Sequence, residues 1–325
     1  MDARLLASLW CPDDHGELLA AGGGARCAEC GRHYPFRDGV LSFLVTEPSE
    51  ASPAGGGEAS SAAAALDEVS RREQSARDAE AAWYDTINTD YTNVVELPAM
   101  IERLGLPTGP LLDHGAGTGR ITASLARQLA QPVIALDYSL ESLKLLVRHC
   151  AGLDVLAVHA DGRRLPIRDG VIAGATSAEV YEHFRAPDRR KVADELARVL
   201  RPGAPMTIST LNYSWVFRLW RLAGNKAAKQ GEHLFGRDFY YVRQTPAEFR
   251  AELEAVFVVR ELVGIRNIPA RSLTGALGRV LGRPRGERVL DWMVRRGHRA
   301  DRALEGSRLS HLTGTFLVAL VERRA

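Results

Sequence analysis

Glycines at alternate positions supply the first chemistry of this chain. In LLDHGAGTGR (111–120) an apolar run ends in Asp113, and Gly115, Gly117 and Gly119 follow before a helical pattern begins. Glycine tolerates positive φ and lets backbone approach a ligand closely, so such a turn can wrap a bulky group at a helix N-terminus. Two later apolar runs also end in acids. Asp137 closes PVIALD (132–137), and Asp161 follows VLAVHA (155–160). A carboxylate ending the second strand can accept both hydroxyls of a ribose. One ending the third strand, or its neighbouring backbone, can meet an adenine amino group. Three strands that each deliver an acid to one sheet edge describe a nucleotide site.

A second constellation lies in CPDDHGEL (11–18) and CAECGRHYP (27–35). Cys27 and Cys30 have the spacing that points two thiolates at one ion, with Cys11 as a third sulfur. The position expected for a fourth cysteine holds Asp14. Carboxylate oxygen also ligates zinc, so Cys11, Asp14, Cys27 and Cys30 form a candidate structural site, with His15 as a substitute for Asp14. The competing reading is a ribbon that has lost its metal and folds through its small core.

The elements that must position these residues follow from periodicity. PLLDH (110–114), PVIALD, VLAVHA, GVIAGATS (170–177) and APMTIST (204–210) are short, apolar and bounded by Gly, Pro or Asp, as buried strands are. The stretches between them have helical periodicity; in DRRKVADELARVL, Val192, Leu196, Val199 and Leu200 share one face. This alternation predicts an α/β fold with a mostly parallel sheet covered by helices on both faces. VFVVRELVGI (256–265) and TFLVALVERR (315–324) add two strands. The segment 47–65, EPSEASPAGGGEASSAAAA, reads as a flexible linker. The chain therefore divides into a zinc-ribbon-like β domain (1–46), the linker, and a large domain (66–325) with helical cap segments at 212–254 and 268–314.

The motifs together resemble the class I S-adenosylmethionine-dependent methyltransferases. The glycine turn with its acidic lead looks like that family's first motif, ALDYS (135–139) its second and ADGRRLPIRDG (160–170) its third. TSAEVYEHF (176–184) and LRPGAPMTISTLN (200–212) match the segments that follow. The resemblance implies a Rossmann-like seven-stranded sheet whose last strand is antiparallel. It implies S-adenosylmethionine held by Asp113, Gly115, Ala116, Gly117 and Gly119 from the first motif. Asp137 and Tyr138 would serve from the second, Asp161 and Gly162 from the third, and Glu179 and Tyr91 from outside the three. A nicotinamide dehydrogenase would need Gly-x-Gly-x-x-Gly, and Arg120 stands where its last glycine would be.

Methyl transfer from a sulfonium requires alignment and, for hydroxyl or carbon acceptors, removal of a proton. His183 is the candidate for that proton; the alternative is that Glu182 and His183 brace a helix. No Asn/Asp-Pro-Pro-aromatic motif follows the fourth strand, which disfavours methylation of exocyclic adenine amines or glutamine. GRDFYYVRQTPAEFRAEL resembles the cap of quinone- and natural-product-type methyltransferases, so the expected acceptor is a small or lipid-like molecule. An RNA methyltransferase is the second reading, resting on ten arginines against four acids in 271–308. A non-catalytic binding module is the third. The net charge of +2 selects no partner, no stretch approaches a membrane span, and a cysteine cluster of this kind fits the cytoplasm.

Overall fold

The computed structural model of the chain describes residues 2–44, 68–84, 95–232, 239–267, 302–305 and 307–325. In chain order the N-terminal segment gives α1 (Ala3–Leu6), β1 (Leu18–Ala21), β2 (Gly24–Cys27), β3 (His33–Arg37) and β4 (Val40–Ser42), and α2 (Glu68–Tyr84) and α3 (Leu97–Leu104) follow. The alternating region runs β5 (Leu111–His114), α4 (Arg120–Leu129), β6 (Val133–Asp137), α5 (Leu140–His149), β7 (Val155–His159), β8 (Gly174–Ser177), α6 (Ala186–Val199) and β9 (Pro205–Leu211). Next come α7 (Trp215–Leu222), β10 (Gln230–Gly231), β11 (Tyr241–Val242), α8 (Pro246–Glu254), β12 (Phe257–Ile265), α9 (Arg308–Thr313) and β13 (Phe316–Arg323). The linker 47–65, Tyr91 and most of the arginine-rich segment lie outside the described residues.

The chain folds as two compact units, one of residues 1–84, 106–175 and 187–204, the other of 85–105, 176–186 and 205–325. In the first unit β5, β6 and β7 pair in parallel, Leu111 opposite Val133 and Val133 opposite Val155. Every residue of β5 and β6 is buried, which is why these strands read as continuous apolar runs. Helix α5 starts at Ser139, whose hydroxyl accepts the Ser142 amide at 3.2 Å, and ends with Arg148 and His149 at its negative pole.

The N-terminal segment belongs to this same unit. β1 to β4 form an antiparallel ladder, and β4 then pairs in parallel with β7, Val40 opposite Ala157 and Ser42 opposite His159. Val40 packs with Leu143, Leu146 and Ala157, and Leu41 is fully buried. The ribbon-like segment thus extends the parallel sheet through its last strand. Sequence shows VLSFLV (40–45) to be β-like, but a strand's partner is set by which edge stands open in three dimensions.

In the second unit β13 lies between β9 and β12 and runs antiparallel to both. A register shift between Val259 and Glu261 bends β12. Helix α8 opens with a complete capping box: Thr245 and Glu248 each receive the other's backbone N–H. The segment 212–254, expected as a helical cap, also contains the short antiparallel pair β10–β11. β5 to β9 with β12 and β13 are the seven strands expected. The chain passes from the first unit to the second within β8.

Candidate functional site

In the first unit the predicted turn is held from the end of β6. Gly115, Gly117 and Gly119 take φ values of 73°, 52° and 91°, the left-handed region that glycine adopts without penalty. The amides of Gly115 and Ala116 donate to the Leu136 carbonyl at 2.8 and 3.0 Å. The Gly117 amide donates to Asp137 Oδ2 at 2.8 Å, and the Ser139 amide to Asp137 Oδ1 at 2.8 Å. Burial pushes the Asp137 carboxyl pKa up, against the two amides that favour its charge. A side-chain carbon built on Gly117 would meet no atom within 4 Å, so the space beside this glycine is open. Asp113 is buried and accepts the Thr122 hydroxyl at 2.6 Å, tying the end of β5 to α4.

Asp161 accepts the Arg163 amide at 2.8 Å and pairs with its guanidinium at 2.7 Å. Gly162 has a packing reason for its identity: an added carbon would stand 2.3 Å from His114 Nε2. Helix α2 is the part of this site that sequence did not reveal. Gln74 donates to the Tyr138 carbonyl at 2.7 Å, and Asp78 accepts the Ser139 hydroxyl at 2.6 Å. α2 carries only a weak apolar face and no motif, so nothing in its sequence points to β6.

The four predicted metal ligands converge. One ligand atom from each of Cys11, Asp14, Cys27 and Cys30 lies within 4.8 Å of all the others. Cys11 and Cys30 sulfurs are 3.8 Å apart, and Cys27 sulfur is 3.3 Å from Asp14 Oδ1. Tetrahedral zinc would set these edges at about 3.8 Å for two sulfurs and about 3.5 Å for sulfur and oxygen. Although Cys30 is exposed, partial loss of water around its sulfur, reinforced by the Asp14 carboxylate and the neighbouring thiols, pushes its thiol up to about 12. A cation supplies the charge that lets such a cluster ionise. The donor set therefore fits zinc. His15 does not join it; its ring stacks on Trp10 at 3.9 Å between centroids. Tyr34, which sequence did not single out, is fully buried with its hydroxyl 3.0 Å from Cys11 sulfur.

The second unit holds the remaining candidates. His183 Nδ1 lies 2.7 Å from the Tyr240 carbonyl, which makes Nδ1 the protonated nitrogen and Nε2 the basic one when the ring is neutral. Tyr240 and Tyr241 are buried, and the Tyr241 hydroxyl donates to the Ala227 carbonyl at 3.1 Å. Glu179 takes φ 55° and belongs to a closed ring of polar groups. Its amide donates to Ser209 Oγ at 3.0 Å, Ser209 donates to Glu96 at 3.3 Å, and Arg266 Nη2 donates to Glu96 at 2.8 Å and to Glu179 at 3.2 Å. Glu96 and Arg266 belong to no recognisable motif, and Ser209, though within LRPGAPMTISTLN (200–212), carries no signal of its own. Tyr91 lies outside the described residues.

Comparison with known proteins agrees with this geometry. Residues 111–203 match the model of a family described as a methyltransferase domain. A ubiquinone biosynthesis O-methyltransferase of Xanthomonas oryzae is 35% identical over 37% of this chain and 50% of its own length. A malonyl-[acyl-carrier protein] O-methyltransferase of Methylococcus capsulatus is 32% identical over 44% of this chain and 54% of its own. The chain thus spans about half the length of these curated relatives. The structure of a DhpI–SAH complex superposes with a TM-score of 0.50 at 18% identity, covering 78% of this chain and 96% of that one, a likeness of fold.

Two predictions follow from these geometries. Oxygen is the weak member among the four metal ligands, because structural zinc prefers thiolate. Asp14→Cys should raise zinc content and resistance to chelators, and Cys27→Ser should abolish binding, read by metal analysis of protein purified without chelator. Zinc in Asp14→Cys but none in the wild type would make this a ribbon that has lost its ion. The loss in Cys27→Ser should also lower the melting temperature of the first unit, because β4 joins the ribbon to β7.

The second concerns pH. Burial lowers the His114 pKa from 6.5 to about 4, despite the attraction of Asp161. Between those values the unfolded chain binds the extra proton. The stability linked to this neutral histidine is therefore full above pH 6.5 and is lost as pH falls towards 4, at about 1.4 kcal/mol per pH unit. Urea unfolding at pH 7.5 and pH 5.5 should show His114→Leu losing less stability than the wild type. Equal losses would refute the assignment.

Proposed function

We propose that this chain, which carries a class I S-adenosylmethionine-dependent methyltransferase domain, transfers the methyl group to a small-molecule or lipid-like acceptor. The observation that carries the reading is the open turn of left-handed glycines clamped to Asp137. Such a turn brings backbone close to a nucleoside while a carboxylate waits at the strand end. The curated relatives act, by their names, on a quinone precursor and on an acyl group carried by a protein, which supports an acceptor of that chemistry.

The residues divide the work as follows. Gly115, Ala116, Gly117 and Gly119 supply the backbone cradle, and Asp113 keeps it in register by holding Thr122. Asp137 takes the ribose hydroxyls and Tyr138 flanks it. Asp161 and Gly162 offer the base its polar edge, and Tyr91 and Glu179 are the further cofactor residues that the family resemblance implies. When bound, S-adenosylmethionine supplies an activated methyl on a sulfonium. His183 accepts the acceptor's proton at Nε2, its ring held by the Tyr240 carbonyl. The ribbon-like segment (1–46), the linker (47–65) and the catalytic domain (66–325) with cap segments 212–254 and 268–314 are the divisions we assign. No helix among the described residues is long and apolar enough to cross a membrane. We place the protein in the cytoplasm, where its cysteines would stay reduced or metal-bound.

Isothermal titration should register S-adenosylhomocysteine and not NAD; the reverse result would sink the proposal. Asp137→Ala should lower that affinity on the order of ten- to a hundredfold, the worth of one or two charge-assisted hydrogen bonds. Unchanged affinity would remove Asp137 from the site. His183→Gln should lower kcat on a methyl acceptor by about 10²–10⁴-fold while leaving S-adenosylhomocysteine affinity alone. An unaffected kcat would leave His183 a bracing role alone.

A further inference from the structure

Helix α7 breaks the rule that governs the rest of the chain. Its sequence WVFRLWRL is rich in large apolar residues, yet none of the eight is buried. Trp215, Leu219 and Leu222 fall on one face at helical spacing, with exposures of 43%, 52% and 84%. Trp220, exposed at 46%, lies round the helix beside Phe217, their ring centroids 5.6 Å apart, and Phe217 holds the Arg243 guanidinium 3.9 Å from its ring. Helix α9 packs beside α7 and adds exposed Leu309 and Leu312. Large apolar side chains left exposed on two neighbouring helices of a folded protein mark a binding face.

The charges around it select the partner. Residues 212–231 contain Arg218, Arg221, Lys226 and Lys229 and no Asp or Glu. Lys229 is neutralised by Glu248 at 2.6 Å, whereas Arg218, Arg221 and Lys226 make no ion pair among the described residues. Arg218 and Arg221 border the apolar stripe on one side. Tryptophan and leucine on one face with arginine at the margin is the composition of helices that lie in the headgroup region of a bilayer. Three unpaired cations beside that face suit an anionic surface.

We propose that α7, with α9 beside it, docks this protein on the surface of anionic lipid bilayers. The proposal rests on the reading of a lipid-like acceptor only for its purpose: an enzyme seated on the bilayer meets such an acceptor where it is dissolved. The contact itself stands on the exposed helix.

The full chain should co-sediment with vesicles of phosphatidylcholine mixed with phosphatidylglycerol, less with phosphatidylcholine alone, and less in high salt. Fluorescence of Trp215 and Trp220 should shift to the blue on binding. Leu219→Glu/Leu222→Glu and Arg221→Glu/Lys226→Glu alter exposed residues, so both should fold, and each should weaken partitioning on the order of tenfold. S-adenosylhomocysteine titration of the same samples should be unchanged. Absence of wild-type binding to the anionic vesicles, or binding that both variants retain, overturns the proposal. So does a concentration-dependent dimer in sedimentation velocity that Leu219→Glu/Leu222→Glu abolishes, because a second copy then covers the face. RNA binding that Arg221→Glu/Lys226→Glu removes, without vesicle binding, also overturns it. Loss of vesicle binding with cofactor affinity intact rejects only the docking; vesicle binding without cofactor affinity rejects only the enzymatic reading.

Discussion

The carboxylate of Asp137 accepts the amides of Gly117 and Ser139, and the nucleotide turn takes its shape from that pair of bonds. A buried carboxylate must be satisfied or it stays protonated, so the requirement runs both ways. The turn gives the acid its partners, and the acid fixes the turn. Much of the first unit is arranged around this point. β5 and β6 must pair in parallel for the turn to reach the end of β6. α4 can begin only where Gly119 leaves the left-handed region. Ser139, whose amide the acid holds, also caps α5 and donates to Asp78 of α2. One side chain therefore couples three helices to the sheet.

The cysteine cluster belongs to the same unit and joins it by a different route. Three thiols and a carboxylate converge there in a space that suits a cation, with Cys27 sulfur donating to Asp14 at 3.3 Å. Tyr34 packs on Phe43 and places its hydroxyl at Cys11, so the cluster is continuous with the ribbon's small core. That core continues through β4 into β7. His159 of β7 receives Ser42 at 2.9 Å and stands 3.1 Å from the Tyr138 carbonyl, beside the cofactor turn. An unbroken set of strands and hydrogen bonds thus joins the cysteines to the nucleotide motif.

The second unit is organised by paired charge. Glu96 is 1% exposed, and a carboxylate so deep survives only with strong partners, which Ser209 and Arg266 provide. Arg266 and Glu179 both adopt φ 55°, a conformation that costs free energy outside glycine and persists where surrounding bonds enforce it. The ring of hydrogen bonds through Ser209 supplies that enforcement. It spans the start of α3, the loop after β8, and the ends of β9 and β12, segments separated by up to 170 positions. Against this ordered interior, the apolar face of α7 has been left outward.

Sequence by itself determined the strands and the nucleotide motif, because both are local. Buried parallel strands must be apolar throughout, and the runs ending in Asp113, Asp137 and near Asp161 mark them to within a residue or two. A turn that requires positive φ shows its glycines, and a tetrahedral site shows its paired cysteines. Tertiary structure alone decided which distant groups these local features would meet. It set β4 on β7, laid Gln74 and Asp78 of α2 against the second motif, turned His15 onto Trp10 and placed Asp14 beside the three cysteines. It also closed Glu96, Glu179, Ser209 and Arg266 into one ring. The physical reason is common to all of these. Periodicity and backbone geometry are written in consecutive residues, whereas hydrogen bonds and ion pairs between distant segments depend on which surfaces the folded chain brings within about 3 Å of each other.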